Sequence, residues 1–179
     1  MKKLRFLGIF AITFALVFAA TSCQQDTTPS GDSVKEVIDN GESLAGTWKI
    51  TEGSYYQYYK MTGLGNDAED TEESDDVEEV AALSNFFSVT NDFTDAQLLA
   101  IAESVEAMKD ESAYTEEVKA MYGSDANVDF DIDARFVVNE NRDKITYYVN
   151  NSGSVSASYS GVTASIDSEY EITVVLEKQ

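Results

Sequence analysis

The chain has 179 residues, with 12 Lys plus Arg against 33 Asp plus Glu, a formal net charge of −21 and no histidine. So large an acidic excess excludes nucleic acid as a partner, because that recognition relies on clustered Lys and Arg neutralising phosphates. It also disfavours adsorption to anionic lipid headgroups, and the lack of histidine removes the commonest general base and the commonest metal ligand. In chain order, Lys2, Lys3 and Arg5 precede Phe6 to Ala20, fifteen residues without a charge. That length suits the apolar core of an export signal and falls short of the roughly 20 residues needed to span a bilayer. Residues 1–22 are therefore expected to direct export and to be removed. Taking 22 from 179 residues leaves 157, enough for one domain with a real core. The three basic residues go too, so 9 bases face 33 acids and the mature charge is −24.

The apolar run ends in "ATSC", Ala20 to Cys23, and Cys23 is the only cysteine. This resembles the lipobox of bacterial lipoproteins, small residues just before a cysteine, with Ala20 standing where the family usually has leucine. The resemblance implies that Cys23 becomes the first residue of the mature protein and takes a diacylglycerol on sulfur. In many bacteria a further acyl chain, such as palmitate, is added to the new amino terminus. The chemistry needs a thiolate nucleophile near neutral pH, which cysteine supplies. The same "ATS" also fits the cleavage site of a soluble exported protein, which would leave Cys23 as a free terminal thiol. With no second cysteine, an intramolecular disulfide is impossible. Each buried methylene contributes about 0.8 kcal/mol, so two or three acyl chains anchor stably where one does not. Gln24 lacks the charge of the aspartate that tends to retain lipoproteins at the inner membrane. The resemblance therefore implies a lipid-anchored envelope protein of the outer membrane.

Residues 23–33 read as the lipidated amino terminus and a flexible tether holding the only proline, Pro29, and residues 34–179 as a single α+β domain. "DSVKEVIDNG" predicts a short helix ended by Gly41. "SLAGTWKIT" and "SYYQYYKM" predict β-structure around Trp48 and Tyr55, Tyr56, Tyr58 and Tyr59. Between Asp67 and Glu79 stand nine acids and no base, read as a solvated loop running into a short helix. This opens a helical insertion over about 64–126. In it Thr94 and Gln97 form a capping-box pattern. Leu98, Ile101, Ala102, Val105 and Met108 recur at helical spacing, and a shorter helix is expected from Thr115 to Met121 before Gly123. From 127 to 178 the period becomes two. Val128, Phe130, Ile132, Ala134, Phe136 and Val138 alternate with polar residues, as do Ile145, Tyr147 and Val149. With "NNSG" as a turn and Ser160-Gly161 as a hairpin or bulge, a meander of about five antiparallel strands is expected.

"LAGTWK", with Gly46, Thr47 and Trp48, resembles over its six residues the opening strand motif of lipocalin-like domains. The resemblance implies a partial up-and-down barrel, with Trp48 closing one end and a small apolar ligand held in the mouth. The four tyrosines also fit two readings, an aromatic platform for a sugar or partner protein and a strand buried on one side and half-buried on the other. Asp129, Asp131, Asp133 and Glu140 have the spacing of calcium-loop ligands, but Ala134 replaces the required glycine and the alternation is a strand's. No cofactor or metal is expected. The chain is therefore expected to be a non-catalytic binding module tethered through Cys23, with Trp48, Tyr55, Tyr56, Tyr58 and Tyr59 as contacts for a small apolar ligand or an envelope protein. The alternative is a surface-exposed structural or interaction lipoprotein with no small ligand.

Overall fold

A computed structural model describes residues 29–63, 65, 67–159 and 162–179. The signal segment 1–22, Cys23 and the Ser160-Gly161 pair lie outside the described residues. The alternating stretches form seven strands: β1 Asp32–Ser33, β2 Gly46–Thr62, β3 Ala68–Ser74, β4 Thr90–Phe93, β5 Asn127–Val138, β6 Lys144–Tyr159 and β7 Val162–Lys178. They make one antiparallel sheet in the order β1-β5-β6-β7-β2-β3, with β4 also paired to β2. Helices α1 Val34–Asp39, α2 Val77–Ser84, α3 Asp95–Met108 and α4 Glu111–Tyr122 complete the described elements. Among the described residues no helix is long and apolar enough to cross a membrane.

Local chemistry accounts for the helices. Thr94 caps α3 with the full capping box to Gln97, satisfying amide groups that a helix start leaves orphaned. Leu98, Ile101, Ala102 and Val105 then form one buried face, each large apolar side chain contributing about 1.5–3 kcal/mol by leaving water. That face packs on α1 and β5. Asp76 caps α2 by accepting from the Glu78 and Glu79 amides, and α2 packs on β2 and β7. Gly53 lets α2 approach, since a Cβ there would lie 2.9 Å from Val80 Cγ1. Helix α4 begins at Glu111, earlier than Thr115, because Asp110 caps it. Among the described residues, the core cluster runs from Val34 to Leu176.

The α+β class with an antiparallel sheet stands as expected, but the sheet is open and not a closed barrel. Its end strands β1 and β3 do not pair with each other. One is two residues long, and the other carries Glu69, Asp70, Glu72 and Glu73, charges that discourage further pairing at an edge. Helices occupy the apolar face that a barrel would turn inward.

Three further expectations are corrected. The acidic segment is not all loop: Ala68–Ser74 pairs with Tyr55–Met61 of β2, so the insertion adds β3 and β4 to the sheet. The meander has three long strands after residue 126 rather than about five, because "NNSG" continues β6 instead of turning and "VTASID" runs unbroken into "EYEITVVLE" as β7. Gly153 stands opposite Phe130, and a Cβ there would meet the Phe130 ring at 2.3 Å, so the missing side chain is the space the ring fills. Finally, Asp32 and Ser33, read from the sequence as the end of a flexible tether, form a strand. Asp32 and Ser33 pair with Val138 and Val137, and Arg142 grips Asp32 at 2.8 Å and Glu42 at 3.0 Å beside them.

Candidate ligand-binding cleft

The helices lie on one face of the sheet but do not cover it evenly. Helix α2 packs over β2 and β7, while α3 and α4 pack over β5. Between these two groups a cleft of about 480 Å³ opens above β6. Small-molecule sites are typically about 300–1,000 Å³.

The sheet register builds its floor. Ile132, Asn151, Tyr170 and Gln57 stand side by side on β5, β6, β7 and β2 and all line the cleft. The next row brings Val149 and Tyr55. A bulge in β2 makes this row possible. Trp48 and Ile50 are buried at even positions, the register with β7 shifts between Ile50 and Glu52, and Tyr55 is then buried at an odd one. One extra residue reverses which side chains face the helices.

The walls come from the helices. Helix α2 ends at Asn85, whose φ of 59° turns the chain back so that Phe86 and Phe87 drop toward the sheet. Phe86 meets Tyr147 edge to face at 5.8 Å, and Phe87 meets the same ring at 5.4 Å. Leu83 lines the same side as Phe86, while Met108 and Tyr114 line the other. Tyr55 and Tyr170 meet at 5.7 Å, nearly perpendicular. Such edge-to-face pairs contribute about 0.5–1.5 kcal/mol beyond their area.

Among the described residues no charged side chain lines this cleft, although a quarter of the chain is charged. Burial pushes the Tyr55 hydroxyl up to about 12, with the charge of Glu72 adding to the effect. Burial also raises Tyr114, Tyr147 and Tyr170 above the ordinary tyrosine value. The phenols therefore stay protonated and neutral at physiological pH. Tyr55, Gln57, Ser84 and Asn85 are already engaged. The Tyr55 hydroxyl donates to Gln57 Oε1. Ser84 Oγ donates to the Ala81 carbonyl at 2.7 Å and accepts from the Phe87 amide at 3.3 Å. Asn85 Nδ2 donates to the Leu83 carbonyl at 3.2 Å. Asn151 differs: it is 9% exposed, and its Oδ1 has no hydrogen-bond partner.

The structure separates the residues singled out in the sequence. Trp48 is fully buried in the core, donates from Nε1 to the Leu44 carbonyl at 3.0 Å, lies under Lys178 at 5.4 Å and does not line the cleft. Strand alternation splits the four tyrosines between faces. Tyr55 enters the cleft, while Tyr59 shares its parity without lining it. Tyr56 and Tyr58 point to the helix-free outer face, where Tyr58 donates to Glu69 at 3.0 Å. That face has a depression of about 250 Å³ lined by Tyr58, Asp129, Asp131, Asp167 and Glu169 among others. No group of three or more potential metal ligands converges among the described residues. Of the inward residues, Ile132 and Tyr147 line the cleft and Phe130 packs on Tyr114 at 6.4 Å.

Sequence reasoning missed Asn151, Gln57, Tyr170, Tyr114 and Phe86. For Asn151 a signal existed: it continues the inward parity of Ile145, Tyr147 and Val149, a polar residue on an apolar face. Reading "NNSG" as a turn hid it. Comparison with protein-family models, with curated proteins and with solved structures yields no match.

Proposed function

We propose that the chain is a lipid-anchored envelope protein that binds a small, uncharged, largely apolar molecule in this cleft without transforming it. The carrying observation is the cleft itself: a space of about 480 Å³ walled by aromatic and aliphatic side chains, with no charged group, inside a strongly acidic protein. Neutral phenols and engaged amides offer no general base or nucleophile poised at neutral pH, which supports binding over catalysis. Carriage in an open sheet roofed by helices replaces the barrel mouth as the form of the reading. For the anchor, the support is the apolar run before "ATSC", the lone Cys23 and the absence of aspartate at Gln24, which favours the outer membrane.

Two measurements test the parts separately. In calorimetric titrations, the mature chain 23–179 carrying Cys23→Ser is expected to bind neutral bicyclic aromatics such as 2-methoxynaphthalene saturably. Met108→Trp, which fills the cleft, is expected to weaken this about tenfold or more, while Tyr58→Ala on the outer face leaves it unchanged. Absence of saturable binding to any neutral aromatic would instead favour the interaction lipoprotein. That second reading draws on the outer face, where Tyr56 and Tyr58 stand half-exposed among acids. For the anchor, the full-length chain should fractionate with membranes and carry acyl mass on Cys23, whereas full-length Cys23→Ser should be released. Equal retention of both would end the anchoring proposal.

A further inference from the structure

We infer that the ligand of the cleft is neutral and presents a hydrogen-bond donor, a hydroxyl or N–H, to Oδ1 of Asn151. This inference rests on the binding reading above and names the chemical class that the site selects. Asn151 lies in the middle of the floor, between Ile132 on β5 and Tyr170 on β7. Its side chain is more than nine-tenths buried, and Oδ1 is the buried side-chain oxygen or nitrogen left without a partner among the described residues. A buried acceptor without a donor is costly, and natural structures seldom retain one without a reason. The neighbouring polar groups do not answer it. Gln57 Oε1 is itself an acceptor already used by Tyr55, Ser84 Oγ donates to Ala81, Asn85 Nδ2 donates to Leu83, and the Tyr114, Tyr147 and Tyr170 hydroxyls and Gln57 Nε2, which belong to the same lining, make no bond to it. Asn151 lines the cleft, and turning its carboxamide about the last side-chain bond brings Oδ1 to the cleft side, where a donor brought in on an apolar body would complete the site.

The same lining decides against charge. A carboxylate would enter a cleft with no Lys or Arg on its walls, and an ammonium would meet no Asp or Glu there. Burying either without a counter-ion is strongly unfavourable. The fitting class is therefore a phenol, alcohol or amide on an aromatic or aliphatic frame, its rings packing edge to face against Tyr55, Phe86, Tyr147 and Tyr170.

The test compares isosteres on residues 23–179 with Cys23→Ser, a chain that holds every described core residue. 2-Naphthol donates a hydrogen bond, 2-methoxynaphthalene only accepts one, and 2-naphthoate is charged. By calorimetry 2-naphthol should bind about tenfold tighter than 2-methoxynaphthalene, the effect of one buried hydrogen bond, and 2-naphthoate should bind weakest. Asn151→Leu should erase the preference between 2-naphthol and 2-methoxynaphthalene. Equal binding of the two neutral probes to the Asn151 protein would overturn the donor assignment while leaving ligand binding intact, and that comparison needs no variant. A preference surviving in Asn151→Leu would overturn the role of Asn151. Failure of all three probes to bind would overturn the binding reading and this inference with it.

Discussion

Asp95 ties the loop before β2 to the start of α3. Its Oδ1 accepts from the Leu44 and Ala45 amides at 2.7 and 2.8 Å, and its Oδ2 from Ser43 Oγ at 2.8 Å. Partial desolvation pushes its carboxyl up, but the bonds from Ser43, Leu44 and Ala45, with the Lys178 charge, together outweigh this and hold it below the usual carboxylate value. A depressed folded pKa means stability fully present above the unfolded value of about 3.9 and lost as pH falls through the folded one. Asp95→Ala is therefore expected to cost about 1 kcal/mol at pH 7, a modest figure because the carboxylate is partly exposed. The gap between the two proteins should close in urea titrations repeated at successively lower pH below that unfolded value. A gap independent of pH would mean that the negative charge plays no part in the link. Ser43 and Asp95 are 52 positions apart in sequence, and nothing local marks them as partners.

At the scale of elements, β6 shows how a turn-like sequence becomes a strand. "NNSG" carries residues that favour turns, yet Asn150 to Gly153 pair without interruption with Asp133 to Phe130 and with Glu171 to Ser168. Two long neighbours supply hydrogen bonds on both edges, and Phe130 covers the glycine. Gly153→Ala is expected to destabilise by about 1–3 kcal/mol through forced displacement of that ring. In a Phe130→Ala background the penalty should shrink, a coupling that a double-mutant cycle in urea measures directly. Full additivity would show that the ring is not what Gly153 accommodates. The bulge in β2 is the second such event. The alternation around Trp48 predicts Tyr56 and Tyr58 on the buried side, and the shift after Ile50 delivers Tyr55 and Gln57 there instead.

Across the whole molecule, the acids fall mainly on the outer face, the β3 edge and the exposed helix surfaces, leaving the helix-covered face apolar. Glu171 shares an outer-face row with Asp133, Asn150 and Tyr56, and burial raises its carboxyl above the ordinary glutamate value. A raised folded pKa means that protonation favours the fold, so the benefit is complete below the unfolded value and is lost as pH rises through the folded one. Glu171→Gln should therefore raise Tm at pH 7, more than Asp75→Asn at an exposed site does, with the advantage vanishing below about pH 4. Equal gains from the two substitutions would attribute the effect to net charge alone, through general self-repulsion.

The acidic balance, the α3 helix with its cap and the alternation of β5 are legible along the chain because each depends on composition or on neighbours within a few residues. Periodicity, capping and charge are local quantities, and they carry the α+β class as well. The cleft is different. It exists because α2 settles on β2 and β7 while α3 and α4 settle on β5, and because a bulge and a continuous β6 set four strands in one register. Residues from 55 to 170 meet there. Packing between distant elements decided which tyrosines face a ligand and which face water, and no short-range pattern contains that choice.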